Sequence, residues 1–279
     1  PYGSNIKDSV KLLFLGGSTT EGIRLEEKKR FPYLVAKNLT SLNKENNISF
    51  KALNSGVSGN NSMHSNLILL SKGIKSKPDF AFLMHNINDL SLLLNQNKYQ
   101  AYWTSENPNR EIIKNLNAKD SIGFFLKKFL PYTYINIIQP IKSSTLNLIN
   151  YDEFKNTRTK KIEIEFQTIL KDFENSIETF INLSRIWDIN PILMTQPNRL
   201  TDSADSWIKD AVKSSTKNLY FEGKQIGYKD FINLYEQFNE VIRKISKENS
   251  IKLIDLAVKV PNNEKYFYDS IHLNKKGSK

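Results

Sequence analysis

Five short runs of apolar, β-favouring residues recur along this 279-residue chain, and each leads into a polar or glycine-containing segment. They occupy 10–15, 48–53, 80–84, 191–194 and 251–256. Runs that are apolar at successive positions, not alternate ones, read as strands buried on both faces, the pattern of a parallel sheet. Helical spacing is predicted between them, over 31–46, 66–74, 162–186 and 228–248. The third is the clearest, with Phe166, Ile169, Leu170, Phe173, Ile177, Phe180 and Ile181 recurring at intervals of three and four. Strand alternating with helix predicts an α/β fold, a three-layer α/β/α sandwich around a five-stranded parallel sheet. A hydrophobic fraction of 39% is ample for such a core. In sheets of this kind functional groups collect beyond the C-terminal ends of the strands, so the residues just after each run are the candidates for chemistry.

The alternation is interrupted over about 91–161, too long a stretch for an ordinary connection. It carries its own apolar cluster: Phe124, Phe125, Leu126, Phe129, Leu130, Tyr132 and Tyr134. This reads as an insertion in a single domain spanning 1–279. Packing over one end of the sheet, a lid over substrate, and contact with a membrane surface through the segment bearing Lys127 and Lys128 are all compatible with it.

Lys and Arg number 40 against 29 Asp and Glu, a formal charge of +11, but the basic residues do not gather into an arginine-rich tract. Such a charge reads as solvated basic faces, which the spread of Lys along the whole chain favours, or as attraction to an anionic partner: nucleic acid, a membrane surface or an acidic polymer. No motif for specific nucleic-acid binding accompanies it. The absence of cysteine excludes disulfides, thiolate chemistry and cysteine zinc sites. No apolar run reaches the roughly 18 residues of a membrane span. The chain begins at Pro1 and ends just after Lys275-Lys276-Gly277, so an upstream signal or anchor and a final helix are expected beyond it. That expectation points to an extracytoplasmic protein, tethered to a membrane upstream.

The first strand ends in Gly16-Gly17-Ser18-Thr19-Thr20-Glu21-Gly22. Ser18 and Glu21 have the spacing of a helix capping box, and a serine on so sharp a turn is also where a nucleophile is presented. After the second strand comes Gly56-Val57-Ser58-Gly59-Asn60-Asn61, an ordinary turn or a loop that aims a backbone N–H into a cleft. The third strand runs into His85-Asn86-Ile87-Asn88-Asp89, where an Asn serves as turn residue or as an amide donor to an oxyanion. Near the C-terminus Asp269 precedes His272 by three residues, close enough to fix its tautomer and stabilise the imidazolium. Of the three histidines only His272 has a carboxylate at that spacing; His64 and His85 read as structural, and a metal site is unsupported. Nucleophile, base, orienting carboxylate and oxyanion donors are thus all present, in order.

At these residues the sequence resembles the SGNH/GDSL hydrolase family, whose four signature blocks centre on a Ser, a Gly, an Asn and a His. The matching positions are Ser18, Gly59, Asn88 and His272, and the resemblance covers the sheet framework from about residue 11 to 277. It implies the flavodoxin-like fold of that family, with Ser18 as nucleophile, His272 as base and Asp269 as its orienter. It further implies an oxyanion hole formed by the N–H groups of Ser18 and Gly59 and the amide of Asn88, with no cofactor. Two positions depart from the family pattern. Gly17 stands where Asp is common, and Asn86 replaces a glycine, which is expected to put a side chain at the cleft floor.

The activity so implied is hydrolysis of small acyl esters, O-acetyl groups on carbohydrate foremost and lipid second, through an acyl-enzyme. Gln196, Asn198 and Arg199, after the fourth strand, are candidates for the leaving-group side, or else form a loop stiffened by Pro197. An O-acyltransferase would use the same residues, and a silent glycan- or surface-binding module would retain the fold without the chemistry.

Overall fold

The computed structural model describes residues 9–96, 99 and 161–279. The apolar cluster at 124–134 lies outside the described residues.

The central sheet holds five parallel strands in the order β2-β1-β3-β5-β8. These are β1 (Val10–Gly16), β2 (Phe50–Asn54), β3 (Phe80–Met84), β5 (Asn190–Met194) and β8 (Lys252–Ile254). Leu12, Leu13, Phe14 and Leu15 of β1 are each at most 1% exposed, so this strand is covered on both faces. Because side chains alternate across a strand, the run divides between two cores. Leu13 and Leu15 join Leu83 and Leu193 under α3 (Ser62–Ile68), α5 (Phe166–Ile186) and α7 (Tyr228–Glu248). Leu12 and Phe14 join Phe82, Met84, Ile192 and Met194 under α2 (Phe31–Leu42). There Phe14 stacks on Phe82 with ring centroids 4.5 Å apart and meets the edge of Phe31 at 5.7 Å. Each fully buried side chain of this size contributes about 1.5–3 kcal/mol of burial, and the two faces together make β1 the mechanical centre of the fold.

The remaining described helices are α1 (Ser18–Glu21), α4 (Ile87–Gln96), α6 (Ser206–Ser215) and α8 (Leu256–Lys259). A second, three-stranded sheet was not anticipated from the sequence: β4 (Ile162–Glu163) runs parallel to β6 (Leu219–Phe221), which forms a hairpin with β7 (Lys224–Gln225). No helix among the described residues is long and apolar enough to cross a membrane.

Candidate active site

β1 ends at Gly16, the backbone turns at Gly17, and Ser18 opens the single-turn helix α1. The capping-box spacing of Ser18 and Glu21 is not used as a cap. Gly17 holds the N-cap position without a side-chain hydrogen bond. The Ser18 hydroxyl faces His272, its Oγ 2.8 Å from Nε2. As the first residue of its helix, Ser18 also has no intrahelical acceptor for its own N–H. The Glu21 carboxylate instead reaches across to the next loop, accepting from the Ser58 N–H (2.8 Å) and hydroxyl (2.5 Å).

Asp269 and His272 sit on a loop closed by the bridge between Phe267 and Leu273 and by the Tyr268 N–H on the His272 carbonyl (2.8 Å). The carboxylate folds back on its own loop. Oδ1 accepts from the N–H of Ile271 (3.0 Å) and of His272 (2.8 Å), while Oδ2 lies 2.8 Å from His272 Nδ1. Burial works to raise the Asp269 pKa, but the hydrogen bonds from the His272 ring and the two backbone N–H groups outweigh it and hold it at about 2. A carboxylate kept ionised on Nδ1 leaves Nε2 as the basic nitrogen toward Ser18.

Gly59 adopts φ +82°, the left-handed region, in a turn where an added Cβ would touch nothing within 4 Å. Glycine is therefore required here for backbone conformation, not for space. Among the described residues no acceptor meets its N–H. Asn88 lies in the first turn of α4, and its Nδ2 donates to the Asn60 carbonyl at 2.7 Å, which leaves the second amide hydrogen unspent. That nitrogen packs directly on Gly17, where a Cβ would come within 2.3 Å of it. In this chain the space beside the Ser18 turn that a side chain at position 17 would take is filled by the Asn88 amide.

Asp89 anchors the base of α4. Buried completely, it accepts from the Ser62 N–H (2.9 Å) and the Tyr99 hydroxyl, and its other oxygen is 3.4 Å from His85 Nδ1. His85 in turn meets the Ser65 hydroxyl at 2.7 Å, and burial pushes its pKa below the ordinary imidazole value. His64 belongs to the cap of α3, its Nδ1 accepting from the Asn61 N–H at 3.2 Å. Neither histidine lines the cavity at Ser18. Among the described residues no group of three or more His, Asp or Glu side chains is placed to hold a metal ion.

The four other residues assigned from sequence to substrate binding do not border that cavity. Asn86, expected at the cleft floor, points into the interior and donates to the Tyr235 carbonyl (2.8 Å) and Asn239 Oδ1 (3.0 Å). Gln196 is buried behind the Ser18 turn, donating to Thr19 Oγ1 and accepting from the Ile87 N–H, both at 2.9 Å. Asn198 accepts from the Leu200 N–H at 2.8 Å, and Arg199 is tied to Asp205 while its N–H holds the Ser270 carbonyl at 2.8 Å. These are braces for the loops that carry the site.

The cavity itself has a volume of about 280 Å³ and is lined by Ser18, His272, Leu273, Tyr268, Ile23, Arg24, Leu25, Arg30 and Phe31. Arg24, Arg30 and Tyr268 were not singled out in the sequence; only the fold turns them into the same space. Arg24 also approaches Asp269 Oδ2 at 3.3 Å.

No family model matches the sequence, and no curated protein matches it significantly. Solved structures do. Axe2, an acetylxylan esterase from Geobacillus stearothermophilus, is similar at TM-score 0.51 and 15% identity, over 98% of this chain and 91% of that one. The acetyl xylan esterase AlAXEase is similar at TM-score 0.50 and 13% identity, over 96% and 94%. LAE5, an α/β hydrolase enzyme from the metagenome of Lake Arreo, Spain, is similar at TM-score 0.51 and 13% identity, over 96% and 89%. At such identities the likeness is one of fold, and the chain has the SGNH-type α/β hydrolase fold.

Proposed function

We propose that this protein is a serine esterase that removes small acyl groups, acetyl foremost, from a carbohydrate by way of an acyl-enzyme. The observation that carries the reading is the Ser18–His272–Asp269 alignment, 2.8 Å at each link, at the mouth of a cavity. Ser18 Oγ attacks the ester carbonyl as its proton passes to His272 Nε2. Negative charge gathers on the carbonyl oxygen, faced by the N–H groups of Ser18 and Gly59 and the free hydrogen of the Asn88 amide. The tetrahedral species collapses, the C–O bond to the sugar breaks, and the departing oxygen takes the proton from His272. Water then gives a proton to His272 and its hydroxide to the acyl carbon, releasing the acid and restoring Ser18. A cavity of about 280 Å³ suits a short acyl group better than a long chain.

The test is hydrolysis of p-nitrophenyl acetate by the wild-type protein and Ser18→Ala, about one pH unit above the ordinary imidazole pKa. Turnover is expected to fall about a thousandfold or more in the variant. Equal rates in the two proteins would remove Ser18 from the chemistry. Release of free acetate, against transfer to an added sugar, separates hydrolysis from acyl transfer.

A further inference from the structure

The cavity at Ser18 is lined by two guanidinium groups, Arg24 and Arg30, and by no carboxylate. Arg30 spends only Nε on the protein, donating to the Leu25 carbonyl at 3.0 Å, so its terminal nitrogens have no acceptor among the described residues. Tyr268, 43% exposed, lines this cavity and also a second, shallower depression that leads away from it. That depression is lined by Lys265, Lys275 and Lys276, again with no carboxylate. Tyr268 is the residue that borders both spaces, and the Arg24 guanidinium lies 6.0 Å from its ring centroid. The basic side chains here are crowded. The Lys265 ammonium lies against Lys276 and lowers its pKa, the arrangement an anion between them would relieve. Two carboxylates stand nearby: Asp269 lies 3.3 Å from Arg24, and Glu26, paired with Lys29, also feels the Lys275 charge. They offset part of the positive charge and leave Arg30, Lys265 and Lys276.

We propose that this groove binds an acidic polysaccharide, a polymer bearing sugar carboxylates, and that the ester cut at Ser18 is carried by such a chain. The cut bond rests on the esterase reading given above; the binding does not. A linear polymer running from the lysine depression past Tyr268 to Ser18 would find an exposed aromatic ring as a platform for a sugar and, on either side of it, Lys and Arg side chains to pair with the carboxylates of a uronate chain. A nucleic acid or a membrane would also be drawn to positive charge. Among the described residues the groove offers a nucleic acid one exposed ring, Tyr268, where successive bases would need several. It offers a bilayer one exposed aliphatic side chain, Ile23, where an interfacial helix presents a whole apolar face.

The experiment measures binding, not turnover, so it is independent of Ser18 chemistry. Oligogalacturonate, neutral xylo-oligosaccharide of equal length, oligothymidylate of equal charge and phosphatidylglycerol vesicles are titrated into the full chain at constant salt. The same titrations are run on Lys265→Gln/Lys276→Gln and on a control, Lys213→Gln/Lys217→Gln, which carries the same charge change on and after α6. Oligogalacturonate is expected to bind most tightly. Its affinity should fall about tenfold in the groove variant, as two exposed ion pairs allow, and stay unchanged in the control. Equal losses in both variants would overturn the groove assignment, since bulk charge alone would explain them. Tighter binding of oligothymidylate or vesicles, or no binding of oligogalacturonate, would overturn the polysaccharide. Ser18-dependent hydrolysis of p-nitrophenyl acetate beside any of these failures would leave the esterase reading standing. Groove binding without that hydrolysis would support the binding proposal and reject the esterase.

Discussion

Gly17 and Asn88 are coupled by contact, and the coupling yields a prediction that separates a working amide from one that merely fills space. In Gly17→Ala the new Cβ would stand 2.3 Å from Asn88 Nδ2. Ordinary carbon–heavy-atom contact begins near 3.5 Å, so the amide must retreat by about 1 Å. A movement of that size breaks its 2.7 Å hydrogen bond to the Asn60 carbonyl. The stability cost is about 1 kcal/mol for that neutral hydrogen bond, since a side-chain end can swing away, plus a smaller penalty where the new Cβ meets the Asn60 backbone carbonyl at 3.0 Å. The catalytic cost is larger. If the second amide hydrogen serves the oxyanion, losing it costs about 100- to 1,000-fold in kcat. Asn88→Ala should lose the same factor. In an Asn88→Ala background, Gly17→Ala should then cost little more, because the two substitutions remove one interaction. The assay is kcat for p-nitrophenyl acetate across the four proteins, with thermal unfolding as the check on fold. Multiplicative losses would refute the reasoning and assign the Gly17 effect to a distorted Ser18 turn. An Asn88→Ala variant of undiminished kcat would remove the amide from the mechanism altogether.

The same geometry bears on pH dependence and on the loop that carries Gly59. The Asp269 pKa lies near 2, below that of an unfolded carboxylate at about 3.9, so its ionised form stabilises the fold at all pH above the unfolded value. That contribution falls away progressively as pH drops from about 3.9 through about 2, so Asp269→Asn should flatten the fall of thermal stability across that window. Equal losses of Tm in the wild type and the variant between about pH 4 and 2 would contradict the assignment. At Glu21, the carboxylate fixes the Ser58 N–H and hydroxyl immediately before Gly59. Glu21→Ala should lower kcat by about 10- to 100-fold through a displaced Gly59 N–H, with partial recovery in Glu21→Gln, which keeps one acceptor. An unchanged kcat in the alanine variant would show that the loop is held by other means.

The strands are legible because burial on both faces writes itself as consecutive apolar residues. The apolar run at Phe80–Met84 matches β3 to the residue, and those at β1 and β5 match to within one. The amphipathic stripe of α7 is equally plain: Tyr228–Glu248 matches the range predicted. Legibility fails where the buried face is polar. The helix α3 starts four residues before the predicted position because Ser62, Ser65 and Asn66, not apolar residues, pack on its core side. The short helix α6 buries only Ile208 and Val212, too few for a period to emerge, and the β6–β7 hairpin is too brief to alternate.

The same physics explains the site. Ser18, His272 and Asp269 stand out in the sequence because the proposed roles of nucleophile, base and orienter each demand a residue type at a restricted spacing, and the structure brings the three side chains together. Asn86, Gln196, Asn198 and Arg199 read toward the cleft because polar residues at strand ends have two destinations, which sequence alone does not distinguish. One is open space above the sheet; the other is the layer beneath the loops, where backbone groups freed by the end of the strand ladder need partners. Gln196 takes the second. It bonds at once to Thr19 beside Ser18 and to the backbone of Ile87 beside Asn88. Asn239 completes the layer from α7, its Oδ1 accepting from the Gln196 N–H (3.1 Å) and the Asn86 amide (3.0 Å). Each bond is worth only about 1 kcal/mol, but an orphaned partner costs about 1–3 kcal/mol, so the layer resists piecemeal change. The Ser18 turn and the Asn88 helix are thereby fixed to one another from below, through Thr19 and Ile87.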